Sequence, residues 1–150
     1  MSVARRILFV CTGNICRSAT AEHLLRHQAQ QQGLDLEVRS CGTAAESYYE
    51  VPAVVRQLLS ERGVPPFEHR ASLMTRDLLK WADLVLVMTR DHLEYTLDRF
   101  PEFSAKVSLL NDHAGLGETD IEDPMGQDEP AYLRSLQDIT KALEVLWPSR

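Results

Sequence analysis

Nothing in the sequence approaches the ~20 consecutive apolar residues that a membrane-crossing helix requires. A basic excess is also missing. Sixteen lysines and arginines stand against 22 aspartates and glutamates, and the net charge of −6 argues against a general nucleic-acid binder. Cysteine is sparse and odd in number: Cys11, Cys16 and Cys41 do not suit a secreted disulfide scaffold. The opening M-S-V-A-R-R-I-L-F-V-C runs from two arginines straight into a short apolar stretch. That is not the pattern of an export signal, so a cytoplasmic location is expected. Linkers, repeats and low-complexity segments are absent too. The 150 residues are therefore expected to form one domain, 1–150, around one core.

What is present is a regular alternation of strand and helix signals. Arg5 to Val10 is a continuous apolar-rich run of the kind buried on both faces of a sheet. Ala21, Leu24, Leu25 and Ala29 then recur at helical spacing, with Gly33 as the stop. D-L-E-V-R-S (35–40) reads as a second strand, and Pro52 opens a helix through Val54, Val55, Leu58 and Leu59 to Gly63. Thr75 caps a short helix through Leu78, Leu79 and Trp81, and L-V-L-V-M (84–88) is the clearest buried strand. Thr89 caps a helix ended by Pro101, K-V-S-L-L (106–110) is a fourth strand, and a loop covers 111 to about 129. The last helix begins near Pro130 and runs through Leu146. The expected fold is α/β: a Rossmann-like three-layer sandwich, with a four-stranded parallel sheet and helices on both faces. In such folds ligands bind beyond the carboxyl ends of the strands, where loops 11–18, 41–50 and 111–129 would gather.

The first of these loops carries the densest chemistry, V-C-T-G-N-I-C-R-S (10–18). A structural zinc site needs four ligands at short spacings. No second cysteine pair exists, and the five histidines are scattered; His23 and His27 share a helix face that is expected to be solvated. A Walker loop would need a second glycine and a lysine. A plain turn accounts for Gly13 and Asn14 but not for Cys11 or Arg17. The remaining reading is an anion cradle. Unpaired N–H groups at a helix N-terminus face outward, Gly13 removes bulk, and Asn14 tolerates a left-handed backbone. Thr12, Ile15 and Cys16 complete the loop, and Arg17 offers a planar fork for two phosphate oxygens. Cys11 would lie beneath the anion, its thiolate favoured by these positive groups and ready for nucleophilic displacement. Ser18 could hydrogen-bond the sulfur and help it leave.

Such an attack requires a proton donor for the leaving group. In T-D-I-E-D-P-M-G (119–126), Asp123 precedes a proline that restricts its backbone, and Asp120 and Glu122 are neighbouring like charges that favour the protonated acid. An acidic turn could serve only solvation, but loop 111–129 shares its sheet edge with Cys11.

The loop V-C-T-G-N-I-C-R-S, the strand D-L-V-L-V-M and the late D-P together resemble the low-molecular-weight protein tyrosine phosphatases, over essentially the whole chain. The resemblance implies Cys11 as nucleophile, Arg17 as phosphate binder, Ser18 as aid to the thiolate and Asp123 as general acid and then base. It implies Asn14 as the loop-shaping residue, with Ser40 and His69 in a supporting hydrogen-bond network. Cys16 matches a second cysteine that joins the nucleophile reversibly on oxidation, and Cys41 reads as a packed core thiol. No metal or cofactor is implied. The implied substrate is a phosphorylated protein, with a bacterial tyrosine kinase as the opposing partner.

The family's aromatic pocket walls are replaced here by Met125, with Tyr48 and Tyr49 near the other side. Related bacterial phosphoarginine phosphatases share the D-P-x-G and A-D-L-V-L-x-M-T patterns but carry threonine at the position of Ile15. An apolar branched wall suits a phenyl ring, so phosphotyrosine is the expected substrate and phosphoarginine the alternative. Arsenate reduction ranks lower, because Met88 and Thr89 stand where relay cysteines would be needed. A non-catalytic phosphate-binding module also ranks lower, since binding alone needs neither thiolate nor acid.

Overall fold

The apolar runs pair side by side, all in parallel. In the computed structural model, which describes residues 4–149, β1 spans Arg6–Cys11, β2 Glu37–Gly42, β3 Leu84–Val87 and β4 Val107–Leu109. Their order is β2-β1-β3-β4. Residues 1–3, which open the export-signal reading, lie outside the described residues. Helices α1 (Arg17–Gln32), α2 (Ala53–Glu61), α3 (Arg76–Trp81), α4 (Arg90–Arg99) and α6 (Glu129–Leu146) connect or follow the strands, with a single-turn α5 at Leu110–His113. No helix among the described residues is long and apolar enough to cross a membrane.

Period-two alternation along β1 divides the core. Ile7, Phe9 and Cys11 face a layer built from Ala21 and Leu25 of α1 and Ile139, Ala142 and Leu143 of α6. Leu8 and Val10 face the opposite layer with Leu79 of α3 and partly buried Leu93 and Leu97 of α4. Ile7, Leu8, Phe9 and Val10 are all fully buried, each stabilising the fold by about 1.5–3 kcal/mol. A third cluster seats α2 against α1 and α6, through Val55, Leu58 and Leu59 against Cys16, Ala19 and Leu136.

Several boundaries differ from the sequence expectation. The second strand is shifted two residues, because β1 pairs from Arg6↔Glu37 to Cys11↔Gly42. Asp35 is left outside the ladder, where it meets Arg5. The chain between α4 and β4 forms a 3-10 helix, Pro101–Lys106, and the fourth strand is only three residues long before α5 begins.

The strand order places the candidate site. The chain leaves β1 toward β2 on one side and returns to place β3 on the other. Loops after β1 and β3 therefore diverge and leave a crevice at their carboxyl ends. Cys11 ends β1 at that crevice, and Thr89 follows β3 there.

Candidate active site

The loop after β1 wraps into the first turn of α1. Cys16, the residue before α1, provides no side-chain cap. The first N–H groups of the helix are therefore left to the loop interior. Asn14 is the one described non-glycine residue with positive φ, at 61°. Its cost is offset by complete use of a fully buried side chain. The amide Nδ2 donates to Ser18 Oγ (2.9 Å) and Ser40 Oγ (2.7 Å), and Oδ1 accepts from the Ser72 N–H (2.9 Å).

Cys11 Sγ lies 2.9 Å from Ser18 Oγ. With Asn14 already donating to that hydroxyl, its proton is available to the sulfur, a shorter reach than the 3.3 Å to the Cys41 carbonyl. Arg17 is 4% exposed. One Nη donates to the Ile121 carbonyl (3.0 Å), and the other lies 3.4 Å from Thr12 Oγ1 and 3.6 Å from Asp123 Oδ2. Asp123, by contrast, is half exposed, and its Oδ1 accepts from the Met125 N–H at 3.1 Å. A buried cation thus faces an accessible carboxylate across the mouth of the loop.

These groups open onto a cleft of about 270 Å³ lined by Cys11, Thr12, Gly13, Ile15, Cys16, Arg17, Tyr49, Asp123 and Met125. Its outer walls are apolar. The Tyr49 ring would meet a Cβ placed on Gly13 at 3.7 Å, so it packs close over the loop. Tyr48 does not line the cleft. It is 76% exposed and meets Tyr49 edge-on, with ring centroids 5.1 Å apart, so it buttresses the wall from outside. Cys16 Sγ donates to Met125 Sδ at 3.2 Å, and burial, ahead of the Cys11 and Asp123 charges, pushes its thiol up to about 12. Cys41 is fully buried and its thiol is pushed higher still, chiefly by that burial.

A network behind the loop extends further than the sequence indicated. His69 Nε2 donates to the Asn14 carbonyl (2.7 Å), which leaves Nδ1 facing His23 Nε2 at 2.9 Å. Ser40 donates to Glu22, which also pairs with Arg26 at 2.5 Å. The expectation that His23 is solvated is incorrect. Phe67 and His69 return over the start of α1, and the His23 ring stacks on Phe67 at 3.8 Å with 5% exposure. Burial, then His69, pushes its imidazole down to about 3. The donor atoms of Glu22, His23 and His69 lie within 4.8 Å of one another, but the carboxylate is taken by Ser40 and Arg26 and the rings bond each other. A proton network fits them better than a metal.

The acidic loop also differs from expectation. Asp120 Oδ1 accepts from Arg90 N (2.9 Å) and Arg90 Nε (3.2 Å), so this carboxylate is paired with a cation. Two further residues had no signal in the loop itself. His92 Nε2 lies 2.8 Å from Thr12 Oγ1. At Gly42, an added Cβ would stand 2.2 Å from the Thr12 carbonyl oxygen, so only glycine lets β2 pass this loop. Gly13 has no such requirement, since a Cβ there would make ordinary contacts. The spacing of Thr89 and His92 could have suggested a capping box, but histidine is not its usual partner.

Both the sequence and the fold are shared with known proteins. The model of the family described as low molecular weight phosphotyrosine protein phosphatase matches residues 6–149. A protein-arginine-phosphatase of Bacillus subtilis (strain 168) is 33% identical over 140 residues, 93% of each chain. The low molecular weight protein-tyrosine-phosphatase Ptp of Acinetobacter johnsonii is 31% identical over 128 residues, 85% of each. A solved structure of the arginine phosphatase YwlE, a cysteine-to-serine mutant with phosphorylated active site serine, superimposes with TM-score 0.89 at 32% identity. It covers 94% of this chain and 92% of that one.

Proposed function

The chain belongs to the low-molecular-weight phosphotyrosine protein phosphatase family, and from that premise we propose that it hydrolyses phosphotyrosine in proteins through a phosphocysteine intermediate. The observation that carries this reading is the joint placement of Cys11 beside Ser18 (2.9 Å) and of Arg17 beside Asp123 (3.6 Å) at one cleft.

The chemistry follows in two displacements. The Cys11 thiolate attacks phosphorus while the bond to the phenolic oxygen breaks, and Asp123 gives that oxygen its proton. The Arg17 fork and the N–H groups of the loop hold the three remaining phosphoryl oxygens. Water then attacks the phosphocysteine, giving a proton to Asp123. The sulfur–phosphorus bond breaks, and the returning thiolate is met by the Ser18 hydroxyl.

For the substrate, Ile15, Tyr49 and Met125 offer flat or branched apolar surface to a phenyl ring. A guanidinium would find few acceptors among these three side chains. The second reading, phosphoarginine, is supported by the arginine phosphatases among the relatives. Initial rates on matched phosphotyrosyl and phosphoarginyl peptides decide between them, with the Cys11→Ser protein as blank. Faster phosphotyrosine turnover is expected, and Ile15→Thr should shift the ratio toward phosphoarginine. Faster phosphoarginine turnover in the unaltered chain would overturn the substrate assignment and leave the two-step chemistry standing. Turnover by the Cys11→Ser protein would overturn the chemistry itself.

A further inference from the structure

Behind the phosphate cradle, on the side away from Tyr49 and Met125, the β3–α4 turn reaches across the crevice to the Cys11 loop. Thr89 and His92 form a reciprocal capping box at the start of α4. Thr89 Oγ1 accepts from the His92 N–H (3.1 Å), and His92 Nδ1 accepts from the Thr89 N–H (3.2 Å). A backbone N–H can only donate, so Nδ1 carries no proton and the neutral ring must carry its proton on Nε2. That N–H points at Thr12 Oγ1, 2.8 Å away. The ring is 5% exposed. Burial, followed by the charge of Arg17, holds it down to about 4, so this single tautomer persists at neutral pH.

The consequence falls on Thr12. Its oxygen accepts from His92 Nε2 and lies 3.4 Å from the Arg17 guanidinium. With both lone pairs directed at donors, the hydroxyl proton has to be given to an acceptor elsewhere. Thr12 lines the cleft shared by Cys11, Arg17 and Asp123, and also the adjoining crevice lined by Thr89, His92 and Asp120. A phosphoryl group seated over Cys11 and gripped by Arg17 presents such an acceptor beside Thr12.

We propose that His92 is a positioning residue that fixes the Thr12 hydroxyl as a donor to the transferring phosphoryl group. Thr12 then adds one oriented hydrogen bond where charge accumulates during both displacements, and His92 acts only through it. Because α4 starts directly after β3, the strand on the far side of the crevice helps set the geometry of the loop after β1.

The inference rests on the phosphatase reading above, and steady-state kinetics on an aryl phosphate separate the two. An unaltered protein that shows no Cys11-dependent turnover would overturn that reading, and this inference with it. With turnover established, Thr12→Val and His92→Phe should each lower kcat about tenfold with KM nearly unchanged, the effect of losing one hydrogen bond made in the transition state. The double variant should fall no further than either single one. Thr12→Ser keeps the hydroxyl and should keep the rate. His92→Gln keeps an acceptor for Thr89 and an N–H for Thr12, and should keep most of it. Losses that multiply to about a hundredfold in the double variant would overturn the coupling. So would Thr12→Val with unaltered kcat. If His92→Phe fails to fold, His92→Asn, too short to reach Thr12 Oγ1, takes its place in the same cycle with Thr12→Val.

Discussion

Lowering the pH from 7 to 5 places a proton on an ordinary histidine, and two histidines in this fold resist it. His23 and His92 are each 5% exposed, so solvent screening takes little from the effect. Burial is the first cause in both cases, and the folded values are about 3 and about 4. In the unfolded chain each ring takes up its proton near pH ~6.5. Between about pH 6.5 and 4 the unfolded state therefore binds more protons than the folded state, and stability falls as the pH falls. From pH 7 to pH 5 each ring costs about 2 kcal/mol, whether its folded value is 3 or 4, because both lie well below 5. Together the loss is about 4 kcal/mol, a large part of the roughly 5–15 kcal/mol that holds a domain folded. Asp83 and Glu144, whose carboxyls are lowered first by backbone hydrogen bonds, act in the same direction but only in the carboxylate range below. The assay is urea unfolding at pH 7 and pH 5 for the unaltered protein, His23→Gln and His92→Gln. Glutamine takes up no proton, so each variant should lose about half as much stability over this interval. A variant with the same loss as the unaltered protein would refute the claim that its histidine is neutral in the fold.

Other perturbations test the site directly. Gly42→Ala should destabilise by roughly 3 kcal/mol or more and depress turnover, because its Cβ would enter the Thr12 carbonyl at 2.2 Å; thermal unfolding and kcat report both. Asn14→Ala removes the bonds to Ser18, Ser40 and Ser72 at a left-handed position, and should lower stability by roughly 3 kcal/mol. Asn14→Gly loses the same bonds without the backbone strain and should recover about 1 kcal/mol of that in urea unfolding. Asp123→Asn should lower kcat on an unactivated phenolic phosphate by about 10²–10⁴-fold, with a smaller effect for a good leaving group that needs no proton.

Local chemistry made much of this legible before the fold was known. Cys11, Asn14, Arg17 and Ser18 fall within one short loop, so their spacing along the chain nearly determines their spacing in space. The strands at 6–10 and 84–87 were readable because both faces are buried and the apolar runs are unbroken. The second strand was misplaced by two residues, since its register is set by β1 and not by its own pattern. Caps at Thr75 and Thr89 were visible because a side chain three residues from its backbone partner is a local matter.

Long-range partners were not legible in the same way. His23 lies on a helix whose polar pattern suggests solvent, and only the return of Phe67 and His69 over α1 buries it. Asp120 is paired with Arg90, 30 residues away, a partner its own loop does not announce. Tyr48 and Tyr49 are adjacent in sequence, yet one forms the cleft wall and the other faces outward. By itself the sequence determined the loop that carries Cys11 and Arg17, the helix and strand alternation and hence the sheet edge where that loop opens, because each follows from neighbours along the chain. Tertiary structure decided which of those groups face one another, because bonds such as His92 to Thr12, 80 residues apart, exist only after the strand order brings β3 beside β1.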